Sequence, residues 1–431
     1  MLLSRQSIAS QTITLVCLAL ILFPQTEHVA TAKPLAAADP WVKDLHNPVL
    51  SPSPEDGWES AVLTAMVLKE GDTYRLWYSG RSQDGSQDGI GLATSVDGVT
   101  WEKSGTNPVM TGRGPGYWDQ YALWPYVLIH DGTYRMWYRG ESQVNAQSPM
   151  VLSIGYATSL DGQTWSRDPS NPVLTAGPEG AWDDYYVASG SVLWEGSTYR
   201  MWYTGCTIMR CQIGVATSPD GIHWTRESSI PVLTNGSTGA WDSRDVLGPV
   251  VIYSDGLYHL WYSGRSVQAF LVYSIGHATS PDGVTWTKDP DNPVVRPSIG
   301  AWDAQGLLVG TVIAEGGGYT LWYDGYDANW VYQIGRARQG PAMPTATPTP
   351  TTTPTPTAIL EPHTPTATVV TPSSTPTSTE TISAASTATM SPNGTATLWA
   401  TQAATITSAP SATVSGSPKY EVFLPDIRLL D

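Results

Sequence analysis

The sequence predicts an all-β fold: a five-bladed β-propeller over residues 41–340, closed by an N-terminal strand and followed by a disordered Thr/Pro-rich stalk. Three observations predict it. Trp-Tyr occurs at 77–78, 137–138, 202–203, 261–262 and 322–323, at spacings of 60, 65, 59 and 61 residues. Each copy sits in the same frame, with Gly-x-Trp-acid before it (in the first copy Gly57 directly precedes the Trp) and Ile-Gly-x-Ala after it. The fifth unit lacks its last element, and that element stands instead at the start of the propeller segment, as Trp41 followed by Asn47-Pro48-Val49. A fixed period of this length marks a repeat architecture. A split last unit lets a ring of sheets join its ends and lose two open edges.

Four strands are expected per unit. Strand A is an apolar run such as Ala61–Leu68 or Val246–Tyr253. An Asp-Gly turn such as Asp131-Gly132 leads to strand B, Tyr-x-x-Trp-Tyr. Strand C is Ile-Gly-x-Ala-Thr-Ser, and a second Asp-Gly turn leads to strand D, which starts near Trp101, Trp165, Trp224 and Trp286. The proline of Asn-Pro-Val is expected to end strand D, because it has no N–H for the ladder. A β-sandwich or β-helix is the competing architecture.

The chain carries 19 Trp and 21 Tyr but only 3 Phe. Fifteen of those Trp fall at three repeat positions, five in Gly-x-Trp-acid, five in Trp-Tyr and five at strand D. A residue present once per blade is expected to pack blades, where a large ring fills the gap between twisted sheets. The acids Glu59, Asp119, Asp183, Asp242 and Asp303 are expected to be structural hydrogen-bond acceptors by the same logic.

Residues 1–32 read as a secretory signal peptide, with Arg5, an apolar run of 11 residues from Ile13 to Phe23 and a small-x-small site at Ala30-Thr31-Ala32. An uncleaved anchor is the other reading. The mature chain is expected to be secreted or at the cell surface, as a monomer without a transmembrane helix. Cys206 and Cys211 are an even pair in an exported chain, which favours a disulfide over two free thiols. Residues 341–419 are Thr/Pro/Ser-rich and read as a disordered linker; 420–431 is a short tail read as a possible surface-sorting segment.

The formal net charge is −16, from 22 Lys+Arg against 38 Asp+Glu. Nothing supplies the basic footprint that nucleic acid requires. No metal motif, phosphate loop or nucleophile elbow is present, so no cofactor is expected.

Function is expected where the symmetry breaks, on the face where strand D leads into A and B into C. Trp124 and Trp330 could stack on a sugar ring. Arg81, Arg139, Arg244, Arg265 and Asp324, with Tyr185, join them as candidate substrate-binding residues. Three acids are catalytic candidates. Glu141 is the proton donor, as a Glu after strand B unique to one unit and flanked by Arg139; Asp245 is the base, and Asp184 is the third acid.

The unit, running Gly-x-Trp-Asp, Tyr-x-x-Trp-Tyr-x-Gly and Ile-Gly-x-Ala-Thr-Ser-x-Asp-Gly-x-x-Trp, resembles that of the five-bladed propeller glycosidases. These are the arabinanase, xylosidase, invertase and levansucrase group, with the mannoside phosphorylase-like proteins. The resemblance covers residues 41–340 and implies a carbohydrate ligand and action on glycosidic bonds. It also implies acids on the inner strands. The corresponding positions are Thr64-Ala65, Trp124-Pro125, Ser189-Gly190, Gly248-Pro249 and Val309-Gly310, and none is acidic. Hydrolysis needs two carboxylates, whereas phosphorolysis needs an acid and arginine to hold phosphate. Two function readings follow: an exported glycan-active enzyme, and a non-catalytic glycan-binding propeller on a stalk. A protein-interaction scaffold is the third.

Overall fold

The computed structural model describes residues 40–53, 55, 57–143, 150–268 and 272–341. The segments expected to be a signal peptide, a stalk and a tail lie outside them. Every regular element is a strand. Strand β1 is Val42–Lys43. Blade I holds β2 (Ala61–Glu70), β3 (Thr73–Arg81), β4 (Gly89–Ser95) and β5 (Glu102–Lys103), with β6 (Met110–Thr111) also on β4. Blade II holds β7 (Tyr121–His130), β8 (Thr133–Ser142), β9 (Val151–Ser159) and β10 (Ser166–Arg167). Blade III holds β11 (Tyr186–Trp194), β12 (Tyr199–Cys206), β13 (Cys211–Ser218) and β14 (Thr225–Arg226). Blade IV holds β15 (Asp245–Ser254), β16 (Leu257–Arg265), β17 (Ser274–Ser280) and β18 (Thr287–Lys288). Blade V holds β19 (Gly306–Glu315), β20 (Gly318–Tyr326) and β21 (Tyr332–Gln339), and β1 completes it by pairing Val42 with Arg338 and Lys43 with Ala337. Neighbouring inner strands touch all the way round, β2 against β7, β11, β15 and β19 in turn and back to β2. The ring is closed by its N-terminal strand.

The tryptophans explain the repeat. The indoles of Trp77, Trp137, Trp202 and Trp322 are fully buried, and each donates its Nε1–H to a glycine carbonyl of the next blade's Asp-Gly turn: Gly162, Gly221, Gly283 and Gly98, at 2.7–3.0 Å. Trp261 is the exception, since blade V has no such turn. Its Nε1 has no hydrogen-bond partner, and Trp41 packs edge-on against its ring at 6.3 Å. The turns themselves are built by aspartate: Asp161 Oδ1, for example, accepts the N–H groups of Gln163 and Thr164 at 2.8 and 2.7 Å. Those N–H groups hold its carboxyl well below the usual range.

The acid after each Gly-x-Trp is a latch. Glu59, Asp119, Asp183, Asp242 and Asp303 are buried, and each accepts the hydroxyl of its blade's Trp-Tyr tyrosine at 2.7–3.3 Å. Each also pairs with a base two residues after the strand D tryptophan: Lys103, Arg167, Arg226, Lys288 and, for Asp303, Lys43 of the closing strand. The second tryptophan position has its own steric demand. The Trp58 ring lies over Gly80 and Gly91, where an added Cβ would stand 2.2 and 2.8 Å from it.

Strand D departs from expectation. It is two residues long, and the proline does not end the pairing but sits in its interruption. Asn107 hooks onto Leu92, accepting its N–H at 2.8 Å and donating to its carbonyl at 3.0 Å. Pairing resumes beyond the proline at Ile90↔Met110, and likewise at Leu50↔Ile334, Ile154↔Leu174, Ile213↔Leu233 and Ile275↔Val295. The asparagine side chain supplies what the proline backbone cannot. Among the described residues no helix is long and apolar enough to cross a membrane.

Candidate functional site: an axial cleft

Each inner strand is broken by a shift in register: after Leu63, Leu123, Ala188, Leu247 and Val309. A bulge turns the chain and re-aims its side chains. All five bulges meet at one open cleft, to which they contribute Thr64, Trp124-Pro125, Gly190, Gly248-Pro249 and Val309-Gly310.

Three bulge residues have φ in the left-handed region, Thr64 at 59°, Trp124 at 48° and Gly248 at 62°. That backbone is costly for a branched or bulky residue. A side chain from the preceding blade holds each one: Asp324 Oδ1 accepts the Thr64 N–H at 2.7 Å, Ser79 Oγ that of Trp124 at 2.8 Å, and Thr204 Oγ1 that of Gly248 at 2.9 Å. Ser263 does the same for Val309 at 2.9 Å. These acceptors occupy one repeat position, immediately after Trp-Tyr. Arg139 is the member that cannot accept. It is buried, lines the cleft, and its guanidinium lies over the Trp124 indole.

The walls come from blades II to IV. Tyr185 and Tyr186 lead into β11, Arg244 and Asp245 into β15, and Arg265 and Tyr273 flank the β16–β17 connection. Cys206 and Cys211 are disulfide-bonded and directly opposite one another at the end of β12 and start of β13. The hairpin they staple, Thr207 to Arg210, overhangs the cleft. Asp245 is buried; its Oδ1 accepts the Cys211 N–H at 2.9 Å and its Oδ2 meets Arg265 Nε at 2.5 Å. Among the described residues lining the cleft it is the one carboxylate.

Of the residues expected from sequence, Trp124, Tyr185, Arg139, Arg244, Arg265 and Asp245 line the cleft. Glu141 is buried behind it, held by Arg81 Nη2 at 2.9 and 3.0 Å and by Arg139. Asp324 stands behind Thr64, and burial pushes its carboxyl up to about 7 despite the Thr64 and Ala65 N–H groups. Asp184 lies apart and accepts the Gly180 N–H at 2.9 Å. Trp330 stacks on Tyr326 at 5.3 Å, in a small apolar cluster with Leu63 and Tyr332. Sequence reasoning missed Arg210, Tyr186 and Tyr273, which also line the cleft. The signal for Arg210 was its place between two cysteines on the ligand face. Among the described residues no group of His, Cys, Asp or Glu is clustered as a metal site requires.

The architecture is a five-bladed β-propeller, the expected fold, and it is shared with solved glycoside hydrolases and mannoside phosphorylases. Solved structures of similar fold include a glycosyl hydrolase from Bacteroides ovatus, with a TM-score of 0.56 and 21% identity over 70% of this chain and 94% of that one. Another belongs to the GH130 family of mannoside phosphorylases, from work on hydrolases targeting β-1,2 mannosidic linkages in Candida mannan. Its TM-score is 0.56, with 20% identity over 71% and 95% of the two chains. A β-1,2-mannobiose phosphorylase from Listeria innocua matches with a TM-score of 0.53 and 15% identity, over 69% and 96%. In sequence, the chain is 26% identical over 287 residues to an uncharacterized protein of Mycobacterium tuberculosis, covering 64% of this chain and 92% of that one. It is 35% identical over 120 residues to an A type blood N-acetyl-α-D-galactosamine deacetylase of Flavonifractor plautii, which is 25% of this chain but 15% of the deacetylase. No protein-family profile matches the chain.

Proposed function

We propose that the protein is an exported carbohydrate-binding propeller that holds an extracellular glycan in the axial cleft without cleaving it by the two-acid route. One observation carries this reading. The cleft is lined by the half-buried aromatic rings of Trp124 and Tyr185, while the one carboxylate among its described lining residues, Asp245, is engaged by Arg265. A general acid and a base or nucleophile must flank the scissile bond from two sides. Glu141 is not free to do so, because two arginines hold it behind the cleft wall. Aromatic faces flanked by a few polar groups are what sugar binding asks for. The export of the chain rests on residues 1–32, and the stalk would carry the propeller away from its attachment.

The full chain is to be titrated with arabinan, xylan, fructan and mannan while reducing-sugar release is followed. The expected result is binding to at least one class of glycan without turnover, weakened about tenfold or more by Trp124→Ala, as loss of a stacking face implies. Turnover abolished by Glu141→Gln would sink the binding-only reading and favour a hydrolase instead.

A further inference from the structure

We infer that the cleft is built for an acidic saccharide, and that Arg210 and Arg244 on its wall receive the carboxylate of a hexuronate residue. This rests on the glycan-binding reading and names the substrate class within it.

The chain as a whole is acidic, at −16, yet its cleft is cationic. Arg139, Arg210, Arg244 and Arg265 line it against Asp245 alone. Including the side chains that touch this group adds Arg81 and the carboxylates of Glu141 and Asp88, which makes five arginines against three carboxylates. Segments 144–149 and 269–271, outside the described residues, contain no Asp or Glu in the sequence.

The basic residues of the repeat, Lys43, Lys103, Arg167, Arg226 and Lys288, are each paired with a latch acid. The cleft arginines are not part of that pattern: Arg139 stands where three other units have Ser79, Thr204 and Ser263, and Arg265 stands where units III and V have Cys206 and Tyr326 and units I and II have Arg81 and Glu141. Burial first, and then the neighbouring Arg81 charge, hold the Arg139 guanidinium well below its ordinary range, whereas Arg265, against its own burial, is raised by Tyr273 and Asp245. The guanidinium fork matches a carboxylate geometrically. Trp124 and Tyr185 on the same cleft offer faces for the sugar ring that carries it.

The test is calorimetric titration of the full chain with oligogalacturonate, oligoglucuronate and oligomannuronate. The same oligosaccharides after carboxyl reduction and inorganic phosphate are the other arms. The expected result is that at least one acidic oligosaccharide binds about tenfold or more tighter than its neutral counterpart, and that added salt weakens it. Arg210→Ala and Arg244→Ala should each lower that affinity about tenfold, a larger loss than either causes for the neutral counterpart. Arg210 is exposed on a stapled hairpin, so its variant tests the inference without disturbing the core. Equal affinity for the acidic and reduced forms overturns the inference while glycan binding stands. Binding of phosphate but of no acidic saccharide overturns it as well. Failure to bind any saccharide overturns both readings.

Discussion

Thr64 and Asp324 act as one unit across the seam between blades V and I. Thr64 sits at a φ of 59°, strained for a β-branched residue, and Asp324 fastens its N–H. The fastening is costly, because Asp324 Oδ2 is buried without a hydrogen-bond partner. Burial lifts the carboxyl from 3.8 to about 7. A folded value above the unfolded one means that the native state holds the proton more tightly. The penalty is therefore absent below about pH 4, grows through the interval and is complete above about pH 7. Asp324→Asn keeps the accepting oxygen and removes the charge. It should leave stability unchanged near pH 4 and raise it at pH 8 by up to about 4 kcal/mol. Thermal melts of both proteins across that range check this, and parallel curves would refute it. The sequence marked Asp324 as a departure from the repeat but not the direction it faces. A residue after Trp-Tyr can turn to the cleft, as Arg139 does, or to the seam, as Asp324 does. The bulge that decides between them has no composition of its own.

At the level of elements, the β12–β13 hairpin is the part of the wall that the blade does not hold. Its cysteines are cross-strand partners, and the four residues between them reach over the cleft with Ile208 and Met209 70% and 69% exposed. Reduction should therefore cost little in global stability, about 2 kcal/mol for so short a loop, and more in recognition. Glycan affinity of the Cys206→Ser, Cys211→Ser double variant is expected to drop several-fold while its melt changes modestly. A variant that binds as tightly as the parent would separate the hairpin from the site. The strands, turns and closing pairing were legible because Trp-Tyr, Asp-Gly and Ile-Gly recur in register. The interrupted strand D was misjudged because the rule that proline cannot donate says nothing of an asparagine that donates and accepts in its place. The latch bases Lys103, Arg167, Arg226, Lys288 and Lys43 were legible in principle, two residues beyond each strand D tryptophan, but single charges on short edge strands are easily read as solvated.

On the scale of the whole molecule, five inter-blade cores are each shared by neighbouring sheets, for example Trp322 of blade V with Tyr74 and Leu76 of blade I. No blade buries its own faces, so the ring stands or falls together. Removing residues 40–50 would take away β1, the Lys43 partner of Asp303 and the Trp41 contact with Trp261, and leave the β21 edge unpaired. An open edge invites pairing with other chains. The truncated protein is expected to melt at lower temperature and to form oligomers by light scattering. A monomer with the parent's melting temperature would show that closure is dispensable.

The same closure orders events in time. Asn47 donates to the carbonyl of Arg336, 289 residues further along the chain, so the closing strand β1, made early in synthesis, must wait for the last blade. Ring closure is then the least local step of folding. Until it happens, the segment beginning at Trp41 stays available as an extended leader.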